Sequence, residues 1–255
     1  MAATVTDNYH AKQGRSTGRW VLETADGRLA VYLKRHHRLP WWRGLLAALW
    51  PDGGWSPAVQ EWDRLEWARG AGLPVPWAVA AGEYIGPWGR LQSFLAVEEL
   101  ADMVPLHQAI PAAAAALGPE AFARWKRGLL AELARLTRAL HDRRRFHKDL
   151  YLCHFFVRRE DTTGAPPWRG RVHLIDLHRL GCHRWTWLWW QAKDLAQLLY
   201  SSEVGGLGAR DRLRFWRLYM RQARRGRAAR RLRRLVLLRW HRYRRHNLKK
   251  RRAAG

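Results

Sequence analysis

The stretch Phe146-His147-Lys148-Asp149-Leu150-Tyr151-Leu152-Cys153-His154-Phe155-Phe156-Val157 constrains this chain more than any other. It reads as a polar loop running into a short buried strand. A second segment, Val172-His173-Leu174-Ile175-Asp176-Leu177, is an apolar strand that delivers a carboxylate at its end. Phosphoryl transfer needs this layout. One carboxylate positions and deprotonates an attacking hydroxyl, and another holds the magnesium ions that bridge the nucleotide phosphates. Asp149 fits the first role and Asp176 the second. Each signal alone is weak, since His-x-Asp triplets are common and a strand-end aspartate is often only a cap.

Order along the chain adds what the single motifs lack. Residues 1–12 read as disordered. Gly14 and Gly18 then precede an alternating run over 19–24, and Ala25-Asp26-Gly27-Arg28 has hairpin-turn composition. The return strand, 29–34, ends on Lys34. Ser56-Pro57 opens a helix to about residue 69, with serine as N-cap and proline at the first position; Glu61 and Glu66 both lie on it. After a break at 70–76, strands are expected over 77–84 and 91–97, joined by a turn at 86–89 and followed by Glu98-Glu99-Leu100. Residues 119–143 carry a strong helical period through Phe122, Trp125, Leu129, Leu133, Leu136 and Leu140. Helices are also expected over 191–202, carrying Asp194, and over 209–246, broken near Gly226. A strand lysine, a helix glutamate, a His-x-Asp loop and a strand-end aspartate in this order predict an α+β, bilobal, protein-kinase-like fold. The divisions expected are a small antiparallel-sheet lobe (1–100), a larger mostly helical lobe (101–222) and a basic helical tail (223–255).

The run His147-Lys148-Asp149-Leu150-Tyr151-Leu152-Cys153-His154-Phe155, with Ile175-Asp176-Leu177-His178-Arg179, resembles the signatures of the lipopolysaccharide core heptose kinases. By motif order the resemblance spans about residues 14–220. It implies ATP-dependent phosphorylation of a sugar hydroxyl, with ATP and Mg²⁺ as cofactors and an anionic glycolipid of the lipopolysaccharide core as acceptor. Asp149 would then be the base, and Lys34, oriented by Glu61, would contact the phosphates. Glu61 matches the Glu-Trp of the family, with Glu66 the competing carboxylate. Asp176 would bind the metal. His154 stands where protein kinases keep an asparagine metal ligand, and would either contact one ion or orient Asp149. Gly14 and Gly18 would cover the phosphates, although they depart from the Gly-x-Gly-x-x-Gly pattern. Glu98 and Leu100 fall where a kinase presents backbone groups to adenine. Asp194 would hydrogen-bond the catalytic-loop backbone, and His147 would brace the loop.

Composition narrows the partners. The net charge is +26, and residues 210–252 hold twenty Lys or Arg against the single acid Asp211. That asymmetry calls for a polyanion: anionic lipid, a phosphorylated glycolipid or nucleic acid. The basic segment lacks a zinc-finger or RNA-recognition signature, and its Arg/Leu/Trp mixture suits a surface helix, which disfavours nucleic acid. Two cysteines, Cys153 and Cys182, exclude a disulfide framework. Each precedes a histidine, but zinc spacing is lacking. With no leader-like apolar core over 1–18 and no run of 18 apolar residues, a cytoplasmic chain is expected, peripheral at the inner face of the cytoplasmic membrane. Residues 36–57 form an insertion in which Trp41, Trp42, Leu45, Leu46, Leu49 and Trp50 share a face flanked by arginines. The face either meets a membrane interface or packs on the lobe. Two rivals stay open: a kinase of this fold acting on protein or another small hydroxylated substrate, and a non-catalytic basic module that binds nucleic acid or membrane.

Overall fold

The computed structural model describes residues 8–10, 14–24, 27–50, 53–87, 90–221 and 226–254. The expected turn residues 25–26 and 88–89, and most of the 1–12 stretch, lie outside them. The chain forms two compact units, Met1–Ala101 and Asp102–Gly255.

The first unit is built on an antiparallel sheet of five strands: β1 (Asn8–His10), β2 (Arg15–Thr24), β3 (Gly27–His36), β4 (Ala78–Gly86) and β5 (Arg90–Glu98), in the order β1-β2-β3-β5-β4. Alternation sets the inner face. Along β5, Leu91, Ser93 and Leu95 are buried while Arg90, Gln92 and Phe94 are exposed. Two corrections follow at the amino end. Asn8–His10 are not disordered but pair with Arg15–Thr17. The stretch from Gly14 to Gly18 is not a loop, because Gly18 sits inside β2 opposite Leu33. Gly14 sits in a turn just before β2. Its φ is +57°, and a Cβ there would stand 3.2 Å from Arg38 Cβ, so glycine is required twice over.

Two helices lie in this unit. α2 (Pro57–Gly70) starts as expected, with Ser56 Oγ accepting from the Val59 N–H at 3.3 Å. Its buried residues Ala58, Glu61, Leu65 and Ala68 repeat at helical spacing and face the sheet. Glu61 is therefore placed on the core side. α1 (Trp41–Leu49) forms from the insertion and turns its small residues, Gly44 and Ala47, inward. Its large apolar side chains point outward: Trp41 is 73% exposed and Trp50 63%.

The second unit contains β6 (Met103–Pro105), α3 (Leu106–Ala116), α4 (Pro119–His141), β7 (Arg145–Phe146), β8 (Phe155–Arg158), β9 (His173–Leu174), β10 (Gly181–Cys182), α5 (Trp187–Ser201), α6 (Ala209–Met220) and α7 (Arg227–Ala254). β6-β8-β9 make one small sheet and β7-β10 another. α4 buries Trp125, Leu129, Leu133, Leu136 and Leu140, and the Trp125 indole donates to the Asp161 carbonyl at 2.6 Å. α5 begins four residues before the expected 191. α7 is not a free appendage: its Ala229, Leu232 and Val236 join Ala192, Leu195 and Ala196 of α5 and Tyr219 and Met220 of α6 in one buried cluster.

Candidate active site

In the first unit, Lys34 on β3 and Glu61 on α2 form a 2.5 Å ion pair, with the side chains 15% and 3% exposed. Glu66 turns instead to Arg69 at 2.6 Å. The competition between the two carboxylates is thus decided by helical phase, since only Glu61 shares the buried face. A pair this enclosed is strongly disrupted by loss of either partner. Glu98 closes β5, its N–H donating to the Trp77 carbonyl, and Leu100 stands two residues beyond the strand. The Gly14 carbonyl accepts from the His37 N–H.

In the second unit, one face of α5 holds the loop that carries Asp149. Asp194 is fully buried and accepts from the backbone N–H groups of His147 and Lys148, both at 2.8 Å. One turn on, Gln197 Oε1 accepts from the Leu150 N–H, and Ser201 Oγ accepts from the Leu152 N–H. Spacings of three and four residues put these three side chains on one stripe, so four loop amides, those of His147, Lys148, Leu150 and Leu152, meet successive turns of a single helix. His141, also buried, reaches Asp194 Oδ2 at 3.3 Å and Tyr219 at 2.8 Å. His147 is fully buried and donates from Nε2 to the Ile175 carbonyl at 3.0 Å. Burial pushes its pKa down, and the neutral imidazole braces the loop against the strand that leads to Asp176.

The side chains expected to react are oriented in turn. Asp149 Oδ2 accepts from Arg179 at 2.8 Å, and Gln197 Nε2 lies 3.4 Å from Oδ1. Asp176 occupies the left-handed region (φ 61°, ψ 54°) just past β9, and His178 Nδ1 meets its Oδ1 at 2.6 Å. His154 donates from Nδ1 to the Asp149 carbonyl at 2.6 Å, while its Nε2 stands 3.8 Å from Asp176 Oδ2. Burial opposes charge on this ring. Hydrogen bonds to Cys153 and the Asp149 carbonyl, with Asp176 nearby, outweigh it and raise the pKa to about 9. His154 thus holds the Asp149 backbone with one nitrogen and stands beside Asp176 with the other, an arrangement compatible with either role expected for it.

Among the described residues no three His, Cys, Asp or Glu side chains gather as a metal-ligand set. Magnesium carried on nucleotide phosphates asks for less: one or two carboxylates, with phosphate and water completing the shell. Asp176 fits that demand. Sequence reasoning missed Arg179, Gln197 and Ser201 as site residues. Gln197 and Ser201 were within reach of it, lying three and seven positions after Asp194 on a recognised helix. Arg179 sat inside the quoted motif without a role.

A lysine–glutamate pair bridging strand and helix, and a His-x-Asp loop clamped by a buried aspartate, define a phosphotransferase of the bilobal protein-kinase-like fold that uses ATP. More particularly, the chain belongs to the lipopolysaccharide kinase (Kdo/WaaP) family, matched over residues 3–219. It is 35% identical over 217 residues to the lipopolysaccharide core heptose(I) kinase WaaP of Pseudomonas aeruginosa, covering 84% of this chain and 76% of that protein. To WaaP of Escherichia coli K12 it is 32% identical over 168 residues, 64% of this chain and 59% of that one. A solved structure of WaaP in complex with acyl carrier protein matches with a TM-score of 0.63 at 30% identity, covering 86% of this chain and 80% of that chain.

Proposed function

We propose that this kinase transfers the γ-phosphoryl group of ATP to a heptose hydroxyl of a lipopolysaccharide inner core. The observation that carries the reading is Asp149, held between Arg179 and Gln197 on a loop whose amides are fixed by α5. Asp149 takes the proton of the acceptor hydroxyl as its oxygen bonds to the γ-phosphorus and the bond to ADP breaks. Lys34, steadied by Glu61, contacts the phosphates, and the backbone at Glu98 and Leu100 meets the adenine. Gly14 shapes the turn over the phosphates, with Gly18 in the strand that follows. Asp176 would hold magnesium, which when bound neutralises charge on the phosphates; His154 orients the loop beside it. The test is incubation of the protein with Mg·ATP and a core glycolipid lacking phosphate, followed by location of the new phosphate. Asp149→Asn should lower turnover by about 10²–10⁴-fold. A phosphate on protein or on another sugar would replace the heptose reading.

The acceptor is anchored in lipid, so the reading extends to the anionic inner face of the cytoplasmic membrane as the working surface. No described helix is long and apolar enough to cross a membrane. The outward face of α1 and the arginines of α7 supply the chemistry of a peripheral attachment. Acyl carrier protein is a second partner suggested by the solved relative. In its support, α4, α5, α6 and α7 line an apolar cleft of about 380 Å³, open to one side, with Leu133, Leu198, Phe215 and Val236 among its walls beside Arg212 and Arg233. A chain of methylenes suits such walls. Co-elution with the acylated carrier and not with the unacylated one is the expected result.

A further inference from the structure

Behind the Asp194 clamp runs a line of buried hydrogen bonds that has no part in the chemistry above. Gln191 Nε2 donates to the Tyr219 hydroxyl oxygen at 2.6 Å. The same hydroxyl stands 2.8 Å from His141 Nδ1, and His141 Nε2 lies 3.3 Å from Asp194 Oδ2. That carboxylate oxygen is the one that also accepts from the His147 N–H. Tyr219 and His141 are 3% and 4% exposed, and Asp194 is fully buried. Helix α6 is tied to α4 twice at this point, because the Tyr219 carbonyl accepts from the Arg138 guanidinium.

Counting protons gives the line one direction. The Gln191 N–H takes a lone pair of the phenol oxygen, so the phenol's single proton points at His141 Nδ1. Burial pushes the Tyr219 pKa up, which keeps that proton in place. Nδ1 is then the acceptor of the ring, and Nε2 carries the proton that meets Asp194. The opposite tautomer would turn a lone pair towards the carboxylate and set an N–H against the phenol proton. Tyr219 also lies in an apolar cluster with Ala134, Leu195 and Ala196. A hydroxyl there is costly unless it is bonded in this way. Phenylalanine would fill the same space without that cost, so packing alone does not call for the oxygen.

We propose that Tyr219 is a positioning residue for phosphoryl transfer. Its hydroxyl, oriented by Gln191, fixes the His141 tautomer, and the His141–Asp194 bond passes that constraint to the loop that carries Asp149. The proposal rests on the reading of Asp149 as the base given above. The loop is thereby held by three helices: α4 through His141, α5 through Asp194 and α6 through Tyr219. Without the phenol proton the imidazole is free to take its other tautomer. Asp194 then loses a donor, and the carboxylate that fixes the His147 and Lys148 amides is free to turn. A small displacement of Asp149 slows transfer without changing what binds.

The experiment compares the full chain with its Tyr219→Phe variant, which removes one oxygen and leaves the ring packed. Histidine ring nitrogens are read by NMR on ¹⁵N-histidine-labelled protein, the His141 signals being assigned by their loss in His141→Gln. The parent should show His141 protonated at Nε2 alone, and the variant a mixture of tautomers. Amide exchange at His147 and Lys148 should quicken in the variant while that of Leu133, inside α4, holds. Turnover should fall about ten- to hundredfold, with the KM for Mg·ATP and for a core oligosaccharide unchanged. In an Asp194→Asn background, Tyr219→Phe should cost no further turnover, since the two residues act in one line. A parent ring protonated at Nδ1, alone or together with Nε2, overturns the proposal. So does a variant with the turnover of the parent, or one whose loss multiplies with that of Asp194→Asn, which marks a separate structural effect. The NMR and exchange readouts need no acceptor. A relay seen there without any transfer to heptose keeps the relay and removes the heptose reading.

Discussion

Asp194 touches no reacting atom, yet the position of Asp149 depends on it. Two loop amides donate to its buried carboxylate, and a buried amide that loses a charged acceptor costs about 1.5–3 kcal/mol. Asp194→Asn keeps the shape but turns one acceptor into a donor facing an N–H. Stability should fall by about that amount, with turnover falling alongside it, as read by urea titration and a steady-state assay. Full turnover at reduced stability would separate the clamp from catalysis. Asp176 gives the complementary case. Asp176→Ala removes the carboxylate proposed to hold the metal, so Mg²⁺-dependent nucleotide affinity should be lost in calorimetric titration. Unchanged affinity would place the metal on other groups.

Among the elements, α7 behaves least like its sequence. Its composition announces charge, and eight of its arginines are indeed exposed. Three small or apolar residues at i, i+3 and i+7 nonetheless tie it to α5. Truncation before Gly226 should therefore destabilise the protein by several kcal/mol, since Leu232 and Val236 contribute about 1.5–3 kcal/mol each on burial; chemical denaturation measures it. Exposed Arg→Gln changes should stay within about 0.5 kcal/mol. The stripe was hard to see because arginine outnumbers apolar residues around it. α3 was missed for a different reason. Pro111 interrupts its pattern, yet Leu106, Ala109, Ile110 and Ala113 are buried, so tertiary packing outweighs the missing N–H. β1 escaped because three residues without apolar alternation carry no strand signal. What was legible had strong local causes: the Ser56-Pro57 start of α2, the period of α4, and the pairing of Lys34 with Glu61. Gly18 misled because a glycine near a strand reads as loop until register is known.

At the scale of the whole molecule, a net charge of +26 and an outward apolar helix pose one question, namely what they bind. Each basic residue near an anionic surface contributes about 1 kcal/mol, an effect that salt screens. Indoles buried at the headgroup level add a part that salt leaves intact. The two sources can be separated because they reside on different helices. Deleting α7 would confound charge with stability, so the charge should be removed in place. Arg230→Gln, Arg231→Gln, Arg234→Gln and Arg245→Gln together keep the apolar stripe, and should weaken sedimentation with phosphatidylserine vesicles at low salt, with little effect at high salt. Trp41→Ser, Trp42→Ser and Trp50→Ser should do the opposite, removing the binding that persists at high salt. The inward Gly44 and Ala47 stay in place, so helix α1 should hold. Vesicles of phosphatidylcholine alone should bind the parent weakly, because the cations then have no counter-charge. Transfer to a soluble oligosaccharide acceptor should survive the tryptophan changes, which lie outside the catalytic residues. If both variants sediment like the parent at every salt concentration, neither helix attaches the enzyme to the bilayer, and the exposed indoles of α1 await a protein partner instead.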